Sequence, residues 1–510
     1  MSEDRNSGFD SHKRLKKKLI SPLNQLPVNR VDWKRIQIPE FLWIASLAEY
    51  YSGQPWHNKY EGLVNVMGTY VKDRKFVFMG LISDFDKIPK KSRAKIVKIH
   101  KDSINSLFSN PVGDILCLYP KCPANWLLSS DWKKDNESKK ADALQKLSKL
   151  LIKLYHAKDK HAAYVRMMPF KQILKYGKIR FPSDSELVDL LPKYPDNLTE
   201  DDKRKCEAYC RTITNMVIND NLKDSNWPEY FWNRNIKLSQ CKPENRPSAD
   251  MPESKKEQEK IVGVFFTNSK KMEKYFSKLV KQSHPNLFNA KKDEVLLGLF
   301  SRIVRLYTKF SSTPDLWSAD LGRVILRLIC DSCITFSYLL EKNDSTLFDK
   351  FVDYAEGKEK LLLLKLQDKY PGLLGPTGET VDEIRESLGG NFSPEFIDIN
   401  LSNWIDISAR DMAEECGFSQ EYSLVYDPAS SDIHGTWTSL RISNLTLCLN
   451  PLHGLHRVPS LRSTPLFITS VNQATKLVLK TIRVAIQKAD FPKKEPDLKI
   501  ISFGLPKSKL

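Results

Sequence analysis

The stretch Arg327-Leu-Ile-Cys-Asp331-Ser-Cys-Ile-Thr-Phe-Ser-Tyr338 carries the helical signal on which the fold rests. Val324, Ile325, Leu328, Ile329, Ile334 and Phe336 recur at helical spacing around it and predict a helix over 315–341. The same periodicity runs through 263–282, 292–311 and 345–369. A Gly- and Pro-rich loop follows, with Pro371-Gly-Leu-Leu-Gly-Pro376 and Gly389-Gly390, before helices resume at 404–416, 428–448 and 469–488. Few segments alternate as strands do, and no period of about 20–50 residues repeats. The expected fold is mainly α, in two helical domains, the C-terminal one a helical bundle.

Working outward, Pro39 near the first turn starts an apolar helix from Ile38, and helical stretches follow at 58–81, 92–108, 140–157 and 201–221. The run Asp114-Ile-Leu-Cys-Leu-Tyr-Pro120 reads either as a strand or as a buried helical turn. Between Cys241 and Lys260 there are three prolines and hardly an apolar side chain, which marks a linker. The expected layout is a basic arm at 1–30, a basic helical domain at 31–240, a linker at 241–260, the bundle at 261–490 and a tail at 491–510. A chain of 510 residues exceeds one ordinary core, in keeping with two or three domains.

The charge balance points to partners. Eighty basic and 62 acidic residues leave a formal charge of +18, which favours a polyanion such as RNA or DNA. Two runs concentrate that charge: the arm with Lys13, Arg14, Lys16, Lys17 and Lys18, and a helix face with Lys90, Lys91, Arg93, Lys95 and Lys98. Each reads either as a phosphate contact or as a solvated face. No segment approaches eighteen uninterrupted apolar residues, and the N-terminus lacks a signal-peptide core, so a cytoplasmic protein without membrane contact is expected. The nine cysteines form no paired CxxC knuckles and read as buried reduced thiols. His453 and His456, three apart, have no third ligand nearby in sequence and read as exposed loop imidazoles. No metal and no cofactor are therefore expected. P-loop, dinucleotide, nucleophile-elbow and HExxH motifs are absent, which turns the reading away from nucleotide motors and metalloproteases.

One further stretch stands out: Tyr422-Ser-Leu-Val-Tyr426-Asp-Pro-Ala-Ser430-Ser-Asp-Ile-His434. Asp427 reads as an N-cap and Pro428 as a first helical residue, and residues four apart should set Ser430 beside His434. Arg327 and Asp331 have the same spacing within an apolar helix, where the charges need each other or further polar groups.

These elements resemble an uncharacterised bacterial family, domain of unknown function 5677, over about 295–490. That family carries Arg-x-x-x-Glu on one helix, an aromatic residue on a charged helix, and then Tyr-x-x-x-Tyr-x-x-Leu/Ala-Ser-x-x-x-His. Here the elements are Arg327 and Asp331, then Phe348 to Tyr354, then Tyr422, Tyr426, Ser430 and His434. Asp331 replaces the family's Glu and has the shorter reach. The resemblance implies a helical fold and no assigned activity.

If Arg327, Asp331, Tyr426, Ser430 and His434 converge, His434 could act as a general base or acid with Asp331 or Tyr426 orienting it, and Arg327 could hold a phosphate. Metal-free cleavage of RNA through its 2′-hydroxyl fits that set. The functional expectation is a nucleic-acid-directed bacterial effector, a metal-independent ribonuclease or toxin in anti-phage defence, with a protein partner from a defence operon. The alternative is a non-catalytic nucleic-acid-binding or adaptor protein whose polar cluster locks helices together.

Overall fold

Apolar side chains returning every third or fourth position give each long helix one stripe to bury, and the architecture follows from pairing those stripes. The computed structural model describes residues 13–15, 18–20, 32–51, 56–73, 76–108, 112–129, 137–156, 160–176, 185–194, 198–217, 225–244, 252, 254–284, 290–388, 397–461 and 466–501. The described chain is mainly α and forms two compact units, residues 1–244 with 447–457 and residues 245–446 with 458–510.

In the first unit the main helices are α1 (Leu42–Tyr50), α2 (Trp56–Thr69), α3 (Lys90–Ile99), α4 (Lys101–Phe108), α5 (Glu137–Tyr155), α6 (Lys160–Lys175), α7 (Glu200–Val217) and α8 (Trp227–Leu238). Trp43 of α1 organises the core. Its ring stacks on Phe108 at 5.1 Å and meets Phe85 edge-on at 5.7 Å, and its indole N–H donates to the Gly80 carbonyl at 2.7 Å. Gly80 has φ +81°, and a Cβ there would fall 2.6 Å from the Tyr60 hydroxyl. The helix expected over 58–81 stops at Thr69, where the Tyr70 and Val71 N–H groups bond back three residues to the Met67 and Gly68 carbonyls. The helix expected over 92–108 is two, α3 and α4, meeting at His100. Asp114 lies in the buried helical turn Val112–Cys117. Pro169 lies inside α6, which hides that helix from a periodicity reading.

The second unit holds α9 (Lys255–Gln282), α10 (Lys291–Ser312), α11 (Leu321–Lys342), α12 (Ser345–Asp368), α13 (Val381–Leu388), α14 (Ala409–Glu415), α15 (Asp427–Ile433), α16 (Trp437–Ser443) and α17 (Ile468–Lys488). α11 is central and packs on α10 and α17, with α9 against α10. Ile329, Cys330, Cys333, Phe336 and Leu339 of α11 are buried with Phe300 and Tyr307 of α10 and Val478 and Ile482 of α17. Each large apolar side chain taken fully from water contributes roughly 1.5–3 kcal/mol, so packing rather than intrinsic propensity holds these helices. Asp320 caps α11 by accepting the Leu321 N–H at 2.8 Å, and Asn343 ends it in the left-handed region at φ +46°.

Residues 447–457, expected inside the bundle, pack in the first unit, where Leu452 joins the core and the Tyr155 hydroxyl donates to the Pro451 carbonyl. The span expected to be tail contributes Phe491 and Leu498 to the bundle core. The helix expected over 428–448 is divided into α15, α16 and a three-residue strand, Leu445–Leu447.

Candidate functional site

Arg323, Arg327 and Asp331 lie four apart on one face of α11, so they form a row. Two of the three meet the 422–434 stretch. Arg327 Nη2 donates to the Tyr426 hydroxyl at 3.1 Å, and its guanidinium lies 4.6 Å from that ring's centroid. Tyr426 stacks on Tyr422 at 4.9 Å and 19°, and Arg410 of α14 approaches Tyr422 at 5.8 Å. One turn earlier, Arg323 Nε lies 3.3 Å from Asp432 Oδ2, whose side chain is 1% exposed. Two arginines thus reach across to two partners in the facing segment. Paired in this way, they fix the register of α11 against α15.

The backbone that presents these groups departs from expectation. Asp427 is not an N-cap, because Tyr422–Tyr426 forms a π turn running directly into α15. Pro428 has no N–H for the carbonyl four residues back, and the ladder shifts so that the Asp427 N–H reaches the Tyr422 carbonyl. The extra residue in that turn brings the two tyrosine rings over one another.

The expected set does not fully converge. Ser430 Oγ donates to the Tyr426 backbone carbonyl at 3.0 Å, so its hydroxyl is engaged within its own helix. His434 caps α15, is exposed, and its imidazole has no hydrogen-bond or ion-pair partner among the described residues. No ion pair joins Arg327 to Asp331. Desolvation raises the Asp331 carboxyl above its ordinary range, while Arg327 and Arg302 pull the other way. The residue is nonetheless exposed, so that desolvation is partial.

In the first unit, Lys90, Lys91, Lys95 and Lys98 of α3 are exposed and form no ion pair among the described residues, and Lys91, Lys95 and Lys98 share a face. Arg93 differs. It pairs with Asp86 at 3.4 Å, donates to the Ile88 carbonyl at 3.2 Å and lies over Trp126 at 5.4 Å, a structural set of contacts. In the arm, Lys13 and Arg14 (Lys13–Leu15) and Lys18 (Lys18–Ile20) belong to the antiparallel strands β1 and β2, with Lys13 opposite Ile20. Lys16 and Lys17 lie outside the described residues.

Two further clusters go beyond the sequence reading. The first surrounds Glu40, whose carboxylate accepts from the Ser83 N–H at 2.9 Å and the Ser83 hydroxyl at 2.5 Å, with Ser225 beside them. Complete burial pushes its carboxyl up to about 8, against the pull of those hydrogen bonds. Ser83 and Ser225 line a cavity of about 690 Å³, which Lys87, Lys121 and Asn233 also border. Nothing near Glu40 in sequence signals this, because Ser83 and Ser225 come from distant segments.

The second corrects the reading of His453 and His456 as exposed imidazoles without a third ligand. His453 is buried, and Cys241 and Cys448 join the two histidines with all four ligand atoms within 4.8 Å of one another. The spacing Cys448-x4-His453-x2-His456 was the available signal, but its fourth member stands more than two hundred positions earlier.

Residues 293–446 match the model of a family described as "Family of unknown function (DUF5677)". The matched span holds the α11 row and the Tyr422–His434 stretch, and ends before the segment carrying Cys448, His453 and His456. No curated protein and no solved structure matches the chain.

Proposed function

We propose that this protein binds nucleic acid, with the lysine face of α3 on the phosphate backbone and the α11 row as a structural lock in the bundle unit. The observation that supports it is the row Lys91, Lys95 and Lys98, exposed and without an ion pair among the described residues, beside Lys90. Like charges four apart on a helix cost a few tenths of a kcal/mol, so the row persists against a local penalty that a bound polyanion would remove. The net charge of +18 acts in the same direction. No helix of the described residues is long and apolar enough to cross a membrane. The wider role suggested is a nucleic-acid-directed effector of the kind used in defence against phage, working with a protein partner.

Measured by fluorescence anisotropy, affinity for RNA or DNA should fall steeply with salt. The triple variant Lys91→Glu, Lys95→Glu, Lys98→Glu should flatten the slope of log K against log salt by roughly 2 to 3. Absence of binding at low salt, or an unchanged slope in the variant, removes the proposal.

A second reading, metal-independent cleavage of RNA, is favoured by one observation: the His434 imidazole is exposed and has no partner among the described residues, open to a substrate. His434→Ala is expected to change stability by no more than about 0.5 kcal/mol. If the chain is a ribonuclease, the same variant loses cleavage while the fold is retained. Cleavage that persists in it assigns the chemistry elsewhere.

A further inference from the structure

We propose that Cys241, Cys448, His453 and His456 bind one Zn²⁺ as a closed, tetrahedral structural site in the first unit. This goes beyond nucleic-acid binding and stands independently of it. Cys241 Sγ lies 3.5 Å from His453 Nδ1 and 3.3 Å from His456 Nε2, and Cys448 Sγ lies 3.5 Å from His453 Nδ1. Zinc–sulfur bonds of about 2.3 Å and zinc–nitrogen bonds of about 2.0–2.1 Å require a sulfur–nitrogen edge of about 3.5 Å in a tetrahedron. Three sulfur–nitrogen edges already sit at that spacing, and all four ligand atoms lie within 4.8 Å of one another.

The surroundings suit a metal as well as the ligands do. With Nδ1 of His453 facing both sulfurs, its Nε2 lies 3.1 Å from the Ser239 hydroxyl, an acceptor available to the Nε2–H tautomer in which Nδ1 is free to ligate. Asn450 donates to Ser239 at 2.8 Å and to the Gln240 carbonyl at 2.7 Å, and so holds Ser239 in place. The Lys242 N–H points at Cys448 Sγ at 3.4 Å, a donor that favours thiolate over thiol. Gly454 and Leu455 both have positive φ, +64° and +55°, and the tight reversal they make turns both imidazoles to one side. Leu455 adopts that conformation without a glycine's freedom, as expected where surrounding contacts or a ligand hold the turn.

Two thiolates and two neutral imidazoles cancel the charge of Zn²⁺, so the site is neutral overall in its partly buried position. Four protein ligands leave no open coordination position, which makes the metal structural rather than catalytic. Soft sulfur with imidazole in a tetrahedron excludes calcium and magnesium, which take oxygen. The metal would fasten the end of α8 to a turn 212 positions later in the chain.

The test is elemental analysis of the full chain, purified without a metal-affinity step or chelator. About one zinc per chain is expected. Cys241→Ser and His456→Asn should fall to background, whereas Cys416→Ser, altering a thiol outside the cluster, should keep the full equivalent. Circular dichroism establishes that each variant is folded. Should the ligand variants fail to fold, cobalt reconstitution of the wild-type chain decides: tetrahedral visible bands with thiolate-to-cobalt charge transfer support the site. Background zinc in the wild-type chain, a six-coordinate cobalt spectrum, or a folded Cys241→Ser variant retaining its zinc would overturn the proposal. So would isolation of a zinc-free chain with a Cys241–Cys448 disulfide.

Discussion

Arg323→Ala is expected to destabilise the bundle unit by about 3 kcal/mol. The Asp432 side chain is 1% exposed, and among the described residues its Oδ2 has no hydrogen-bond donor, only the Arg323 guanidinium at 3.3 Å. Removing that cation strands the buried Oδ2 of a carboxylate without its counter-charge, and this penalty exceeds the worth of the ion pair itself. For a unit of this size the melting temperature should drop by about 6–12 °C. The effect should shrink sharply in an Asp432→Asn background, because no charge is then stranded. A loss below about 1 kcal/mol, or an equal loss in both backgrounds, would show that the pair contributes nothing specific.

The second large effect concerns acid and base. Glu40 titrates at about 8 in the folded chain against 4.5 as its ordinary value. Below pH 4.5 both states carry the proton, and the group adds no pH dependence. As pH rises, the unfolded chain ionises first, so stability falls by roughly 1.4 kcal/mol per pH unit until the folded carboxyl also ionises near pH 8. Glu40→Gln removes that loss and keeps the hydrogen bonding, since the amide oxygen accepts from the Ser83 N–H and its NH2 donates to the Ser83 and Ser225 hydroxyls. The variant should match wild type near pH 4 and exceed it by roughly 4 kcal/mol at pH 8, measured by urea unfolding. A difference that stays constant between these pH values would mean that Ser83 and Ser225 keep the carboxylate ionised throughout.

What the residues disclosed by themselves depended on range. The 22-residue α11 and its neighbours α9, α10, α12 and α17 were legible because one buried stripe repeats over several turns, and such a pattern has few other solutions. α6 was not legible, since Pro169 speaks against a helix locally and is overruled by the packing of Val165, Met168 and Phe170 in the core. The cap at Asp427 failed for a similar reason. Asp-Pro is a sound helix start in isolation, but here the preceding segment is itself helical, a π turn that runs into α15 and accommodates the proline. Of the candidate site, Arg327 and Tyr426 do meet. Arg323 and Asp432 were missed, although Arg323 stands one turn before Arg327 and Asp432 two residues before His434. Pairings such as Glu40 with Ser83 and Ser225, or Cys241 with Cys448, arise from contact between remote segments, and no local pattern encodes them.

The return of residues 447–457 to the first unit also sets a timetable. A ribosome that has completed residue 244 must add more than two hundred residues before that strip emerges, roughly 10–40 s at about 5–20 residues per second. Through that interval the seat of Leu452 stays vacant, and Tyr155 lacks the Pro451 carbonyl and the Gly454 N–H. The unit made first is therefore finished late, and a nascent chain with an apolar socket open to solvent is a natural client for a chaperone. A message cut short anywhere ahead of residue 447 would yield a first unit that never receives its closing strip.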